Sequence, residues 1–368
     1  MKQPAIQTGY LVLVDLSGYT PFMASSELDH AQSILANLLA LLKSTLTPTL
    51  TLAEVEGDAL FLYAPGYRLT RGETLLELIE STYVAFRNKM RTMRRAITCP
   101  CQACQAMRTL DLKFVTHCGE YVLQDFTGGV KPVGSSVNLA HRLLKNCVTE
   151  RTGWNAYALF TKAALDRMNV CPEGMVTDCM EYEHLGECPI GAIDLGRSYE
   201  ELTAARTAFV SPDDAHFNVE RVFTTPAARL WDALNDPDKR MQWEIGSDWG
   251  NPQRPRGRTG AGTHNHCANS DFIEEIIDWR PFDYYTVRLH RSIFRFMITG
   301  ELQPQGDATA LRWSIAMEGA APRALRSFVC RFFAQRLVRA PERMRRLDQF
   351  LMSDPDSIAE SASPVAVD

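Results

Sequence analysis

The run Tyr10-Leu11-Val12-Leu13-Val14, closed by Asp15 and followed by Ser17-Gly18, constrains this fold more than any other short stretch. Five apolar residues with no polar alternation read as a buried strand, and the Ser-Gly pair reads as the loop it enters. From Ser26 to Leu46, apolar residues recur at three and four spacings (Ile34, Leu35, Leu38, Leu39, Leu41, Leu42), which predicts an amphipathic helix packed on a sheet and stopped at Thr47-Pro48. Two strands follow, Leu50 to Glu56 and Ala59 to Tyr63, around the two-residue corner Gly57-Asp58. A second helix covers Leu75 to Arg95, then strands Leu110 to His117 and Tyr121 to Leu123, then Gly128-Gly129, Gly134 and a helix from near Ser136. The order βαββαββα predicts an α+β sandwich.

With 368 residues and 45% hydrophobic content, the chain can bury two cores. A composition shift at Pro212-Asp213-Asp214 divides it into residues 1–208 and 209–352, with 353–368 as a disordered tail short of large apolar residues. A formal net charge of −5 argues against nucleic acid as the main ligand. The N-terminus carries neither a signal h-region nor a membrane span, so a cytoplasmic protein is expected. Ten cysteines in so long a chain, without an export signal, then imply reduced thiols or a metal site rather than a disulfide scaffold.

Asp15 and Asp58 fall at the ends of adjacent strands, where two carboxylates can converge on hard cations such as Mg2+ or Mn2+, the minimum for phosphoryl transfer. The turn Ser17-Gly18-Tyr19-Thr20 leads into a helix, so its backbone N–H groups can hold phosphate. Asn138 and Arg142 are four apart on one helix face, where they can orient a ribose and neutralise a transferring phosphate. They equally suit a solvated face, as Gly18, Gly57 and Gly134 suit simple turns. His117 has no spaced partner and reads as structural.

Taken in order, Leu13 to Thr20, Glu54 to Phe61, His117-Cys118-Gly119-Glu120 and Val133 to Arg142 resemble the class III nucleotide cyclase motifs over residues 8 to 200. The resemblance implies a ferredoxin-like cyclase sandwich, a nucleoside triphosphate substrate and two metal ions at Asp15, Asp58 and Leu16. It also implies a homodimer, with Asn138 and Arg142 of one chain completing the site of the other. Its base-contacting positions are Glu54 and Lys131, the charges of the family's adenylate pair exchanged. That exchange leaves open whether the two form a salt bridge that still accepts a base or close the purine pocket. The family's phosphate-binding lysine is replaced by Leu185, which leaves open an active enzyme or a silent dimerisation or nucleotide-sensing module.

The loop Cys99-Pro100-Cys101-Gln102-Ala103-Cys104 has thiol spacing that can wrap Zn2+ or an iron–sulfur cluster, with Cys118 as the nearest fourth ligand in sequence; three free thiols are the alternative. From His216 on, Val219 to Phe223, Asn235-Asp236-Pro237 and Ile276 to Phe282 resemble the START-like polyketide cyclase/dehydrase (SRPBCC) fold over residues 214 to 352. The resemblance implies a helix-grip domain with an apolar cavity for a hydrophobic small molecule. Trp243, Trp249, Trp279 and Trp313 are candidates to line it, or ordinary core. The arginine-rich segment Ala324 to Phe350 reads as a cavity-lid helix broken at Pro341 rather than a membrane-binding one.

Overall fold

The computed structural model describes residues 5–25, 27–69, 72–96, 101–126, 129–182, 185–204, 208–244, 249–254, 256–267, 273–291 and 294–353. The chain divides into two compact units, Met1–Ala204 and Ala205–Asp368. Among the described residues no helix is long and apolar enough to cross a membrane. The expected tail beyond Ser353 lies outside the described residues.

In the first unit the elements run β1 (Ile6–Ser17), α1 (Tyr19–Ser25), α2 (Leu28–Leu46), β2 (Thr51–Glu56), β3 (Ala59–Pro65), α3 (Glu73–Ala96), α4 (Gln102–Ala106) and β4 (Asp111–Phe126). They continue β5 (Gly129–Val133), α5 (Ser135–Arg142), α6 (Val148–Thr152), β6 (Tyr157–Thr161), α7 (Lys162–Met168), β7 (Val176–Tyr182), β8 (Gly186–Asp194) and α8 (Leu195–Thr203). The sheet order is β2-β3-β1-β4-β6-β8-β7, with β5 paired to β4. The first four strands are antiparallel in the order 2-3-1-4, so βαββαβ forms a ferredoxin-like sandwich. Tyr10 to Val14 are wholly buried, because β1 is hydrogen-bonded on both edges and covered by packing.

Two boundaries differ from the sequence reading. A separate helix, α1, precedes α2, and the strands expected before and after Gly119 are one, β4. Gly119 faces Gly9 across the ladder, and a Cβ there would meet Ser136 Oγ at 2.4 Å, so the glycine admits a close approach instead of ending the strand.

The second unit runs β9 (Phe217–Phe223), α9 (Ala227–Asn235), α10 (Pro237–Trp243), β10 (Trp249–Gln253), β11 (His264–Cys267), β12 (Ile273–Arg280), β13 (Tyr284–Arg291), β14 (Phe294–Gln305), β15 (Ala308–Met317), α11 (Arg323–Phe332) and α12 (Ala340–Ser353). Among the described residues its strands form one antiparallel sheet, β10-β11-β12-β13-β14-β15-β9. The core packs Leu230, Trp231 and Leu234 of α9 and Met344 and Leu347 of α12 with Ile276, Leu302 and Leu311 of the sheet. The helix break falls at Arg339, whose φ is +53°, not at Pro341. Pro341 sits in the first turn of α12, where a missing N–H leaves no helix hydrogen bond unmade.

Candidate active site of the first unit and cavity of the second

Strand register brings the two carboxylates together. Asp15 pairs with Ala59 across the β1–β3 ladder, and Asp58 is the residue before Ala59. Glu56 pairs with Ala59, leaving Gly57-Asp58 as the connection, with Gly57 at φ +67° as a glycine-first two-residue turn requires. Burial, then the negative charge of Asp15 and a hydrogen bond to it, push the Asp58 carboxyl up to about 6. On the other side of β1, Lys113 pairs with Asp15, and its Nζ lies 2.8 Å from Asp15 Oδ2. Burial works against the Lys113 charge, but its hydrogen bond and attraction to Asp15 prevail and raise its pKa. Sequence reasoning missed Lys113; its signal was a single cation in the apolar run Leu112-Lys113-Phe114-Val115.

The Ser17-Gly18-Tyr19-Thr20 segment is the turn between β1 and α1. Gly18 has φ +81°, and a Cβ on it would lie 2.5 Å from the Thr109 carbonyl oxygen, so both conformation and space demand glycine. The Phe22 N–H donates to the Gly18 carbonyl at 3.1 Å. The Leu16 side chain is buried, which leaves its backbone carbonyl as the atom able to serve a cation.

Glu54 and Lys131 form an ion pair, Nζ to Oε1 2.7 Å. Glu54 stands at an irregularity in the β2–β3 register, and Lys131 comes from β5. Asn138 and Arg142 are exposed on the outer face of α5, whose inner face buries Val137 and Ala140. The charges acting most strongly on Asp58 are those of Asp15 and Lys113, not Arg142. On the same helix His141 reaches Glu56 (Nδ1 to Oε2 3.5 Å) and meets the Phe61 ring edge-on. Leu185 lies in the β7–β8 turn, its N–H donating to the Tyr182 carbonyl at 3.1 Å. His117 is buried and hydrogen-bonded to Thr161 Oγ1 at 2.9 Å, and burial pushes its pKa down to about 4.

For the cysteine loop, the fourth-ligand expectation is corrected. Cys118 is buried in β4 opposite Tyr10, its thiol pKa raised by burial, and it does not join the loop cysteines. His30, from the first turn of α2, does: its Nδ1 lies 3.1 Å from Cys101 Sγ, and Cys104 completes a group whose ligand atoms all lie within 4.8 Å of one another. Nothing in the sequence pattern marked His30. Cys99 lies outside the described residues.

The second unit holds a cavity, continuous with solvent and walled in part by Trp243, Trp279, Trp313, Ile298 and Val338. The side chain of Trp249 lies outside the described residues. The wall is not purely apolar as expected. Arg240 bridges Glu244 (3.0 Å) and Glu274 (3.2 Å), Arg343 reaches Glu244 (2.5 Å), and Asn265 donates to Glu274 (2.6 Å). Trp313 Nε1 donates to the Tyr285 hydroxyl at 2.9 Å. Among the described residues the Asn265 Oδ1 and Arg343 Nε atoms are buried without a hydrogen-bond partner.

The first unit is thus an α+β sandwich with ferredoxin-like strand order, and the second a START-like helix-grip domain. Residues 214–347 match the family described as polyketide cyclase / dehydrase and lipid transport, and residues 35–152 match one described as a protein of unknown function (DUF2652). The uncharacterized protein Rv2561/Rv2562 of Mycobacterium tuberculosis (strain ATCC 25618 / H37Rv) is 32% identical over 152 residues, 40% of this chain and 67% of that protein. The chain belongs to the family of that protein. Similar solved structures include a bacterial light-regulated adenylyl cyclase (9% identity, TM-score 0.39), where the match covers 54% of this chain and 57% of that one. Another is the adenylyl cyclase CyaB from P. aeruginosa (13% identity, TM-score 0.39), covering 52% of this chain and 96% of that one.

Proposed function

We propose that the first unit converts a nucleoside triphosphate to a 3′,5′-cyclic nucleotide and pyrophosphate, and that it does so as a homodimer. The observation that carries this reading is the meeting of Asp15 and Asp58, with the Asp58 carboxyl pushed up to about 6 by burial and by its neighbour's charge. Two carboxylates held together against their own repulsion, partly out of water and next to the Leu16 carbonyl, suit hard divalent cations. Mg2+ or Mn2+ held there supplies charge neutralisation for the triphosphate and makes the 3′-hydroxyl more acidic. The N–H groups around Ser17 to Thr20 hold phosphate oxygens. In the reaction the 3′-hydroxyl gives up its proton to water, a bond forms from the 3′ oxygen to the α-phosphorus, and the bond from that phosphorus to the β-bridging oxygen breaks, releasing pyrophosphate. Asn138 orients the ribose and Arg142 stabilises charge on the transferring phosphate. Their outward face on α5 suits delivery to the site of a second copy. Glu54 and Lys131 meet the base edge through an ion pair that offers one acceptor and one donor group.

The second unit, in this reading, binds a small molecule and regulates the first. Tryptophans lining the same cavity as a buried arginine–glutamate network favour a ligand with an apolar body and a polar, hydrogen-bonding end over a purely hydrophobic one.

A second reading, a silent dimerisation or nucleotide-sensing module, draws support from Leu185 and from the Lys113 ammonium on Asp15. Product formation by the purified protein with Mn2+ or Mg2+ and each of ATP, GTP, CTP and UTP, beside Asp58→Ala, separates the two. A cyclic product lost in the variant supports the enzyme; no product from any nucleotide leaves the silent module.

A further inference from the structure

We propose that His30, Cys101 and Cys104 form a zinc site that ties α2 to the segment leading into β4, independently of any nucleotide chemistry. Cys101 and Cys104 have the C-x-x-C spacing that lets two thiolates grip one ion, and α4 starts between them. His30 is 71 residues away in sequence, yet its Nδ1 lies 3.1 Å from Cys101 Sγ. Ligands bound to zinc at about 2.0–2.3 Å in a tetrahedron sit roughly 3–4 Å from one another. The three ligand atoms here already lie within 4.8 Å. Only small side-chain movements separate this arrangement from coordination.

The loop backbone is held in shape from α2. The Glu27 carboxylate accepts from the N–H groups of Gln102 (3.3 Å) and Ala103 (3.1 Å), and Ala103 and Met107 are buried. The Cys104 N–H donates to Cys101 Sγ at 3.4 Å, which fixes the position of that sulfur at the start of α4. The donor set also selects the metal. An imidazole with two thiolates suits Zn2+, whereas the common iron–sulfur clusters take four thiolates and Mg2+ or Ca2+ take oxygen. Zinc is thereby preferred over the iron–sulfur alternative that the sequence left open.

The site has a mechanical consequence. Beyond α4 the chain turns through Met107–Thr109, and the Thr109 carbonyl packs against Gly18 in the β1–α1 turn. A metal joining α2 to α4 therefore braces that turn from behind.

The test uses the full-length chain purified under reducing conditions. One zinc per chain should survive gel filtration. Co2+ exchanged for it should give tetrahedral d–d bands with thiolate-to-cobalt charge transfer. Cys104→Ser and His30→Ala should each lower zinc affinity roughly 10- to 100-fold or more, while Cys171→Ser, an exposed cysteine outside the group, and Asp58→Asn should retain it. Thermal unfolding and circular dichroism of each variant check that lost metal is not lost fold. If the ligand variants misfold, the cobalt spectrum of the unmutated protein still decides. Zinc content no higher than in the Cys101→Ser/Cys104→Ser double variant, zinc lost in Asp58→Asn, or a cobalt spectrum without charge transfer overturns the site.

Discussion

The ammonium of Lys113 lies 2.8 Å from the Asp15 carboxylate, across one rung of the β1–β4 ladder. It offsets part of the negative charge that Asp15 and Asp58 concentrate at the strand ends. Lys113→Met should lower stability in EDTA by about 1–3 kcal/mol, because two adjoining carboxylates lose their internal counter-ion. Added Mn2+ should then raise Tm more in the variant than in the unmutated protein. Scanning calorimetry with and without Mn2+ reads both; an unchanged metal-free Tm would count against the charge balance described.

Asp58→Asn should move stability and activity in opposite directions. Removing one of two like charges should stabilise the metal-free protein by up to about 1 kcal/mol, while cyclic-nucleotide formation should fall at least about 100-fold. Denaturant titration beside a product assay reads the pair. Full activity in the variant would remove Asp58 from the proposed chemistry.

The Glu54–Lys131 pair should matter for base choice and little for stability. The pair is partly exposed, so breaking it with Lys131→Ala should cost less than about 1 kcal/mol yet change the ratio of rates among the four nucleotides. The double exchange Glu54→Lys with Lys131→Glu should restore the ion pair and give a third preference. Identical ratios in all variants would place the base elsewhere.

His117 gives a pH prediction. Burial lowers its pKa from the ordinary 6.5 to about 4, so the folded protein binds fewer protons than the unfolded chain between those values. Stability is therefore undiminished above pH 6.5, falls as pH drops toward 4, and the loss from this group is complete below that, at most roughly 3 kcal/mol. In His117→Gln that portion of the acid dependence should vanish. Urea midpoints at half-unit pH steps measure it.

In the second unit, Arg240 stands between Glu244 and Glu274 with little exposure. Arg240→Met leaves Glu244 with Arg343 alone and Glu274 with only the Asn265 amide, and should cost about 3–5 kcal/mol, with Glu274→Gln in the same chain recovering part of the loss. Chemical denaturation followed by tryptophan fluorescence is the measurement, since Trp243, Trp279 and Trp313 line the same cavity.

What the sequence determined by itself was local. The unbroken apolar run to Val14 dictated a buried central strand, the spacing of Leu38 and Leu42 dictated a helix face, and Gly57-Asp58 between two strands dictated a tight corner. Those features placed both carboxylates at strand ends and predicted the sandwich, because each depends on residues within a few positions of one another. Tertiary structure alone decided the partners. Lys113 reaches Asp15, His30 reaches Cys101, and Arg240 and Asn265 reach Glu274 only because strand register and helix docking join segments far apart in the chain. A periodic pattern says which face of an element is buried; it carries no information about which charged or soft side chain from another element will meet it there. That is why Cys118 stood in for His30 and the cavity read as apolar, and why the polar side of both units emerged only when the elements were packed together.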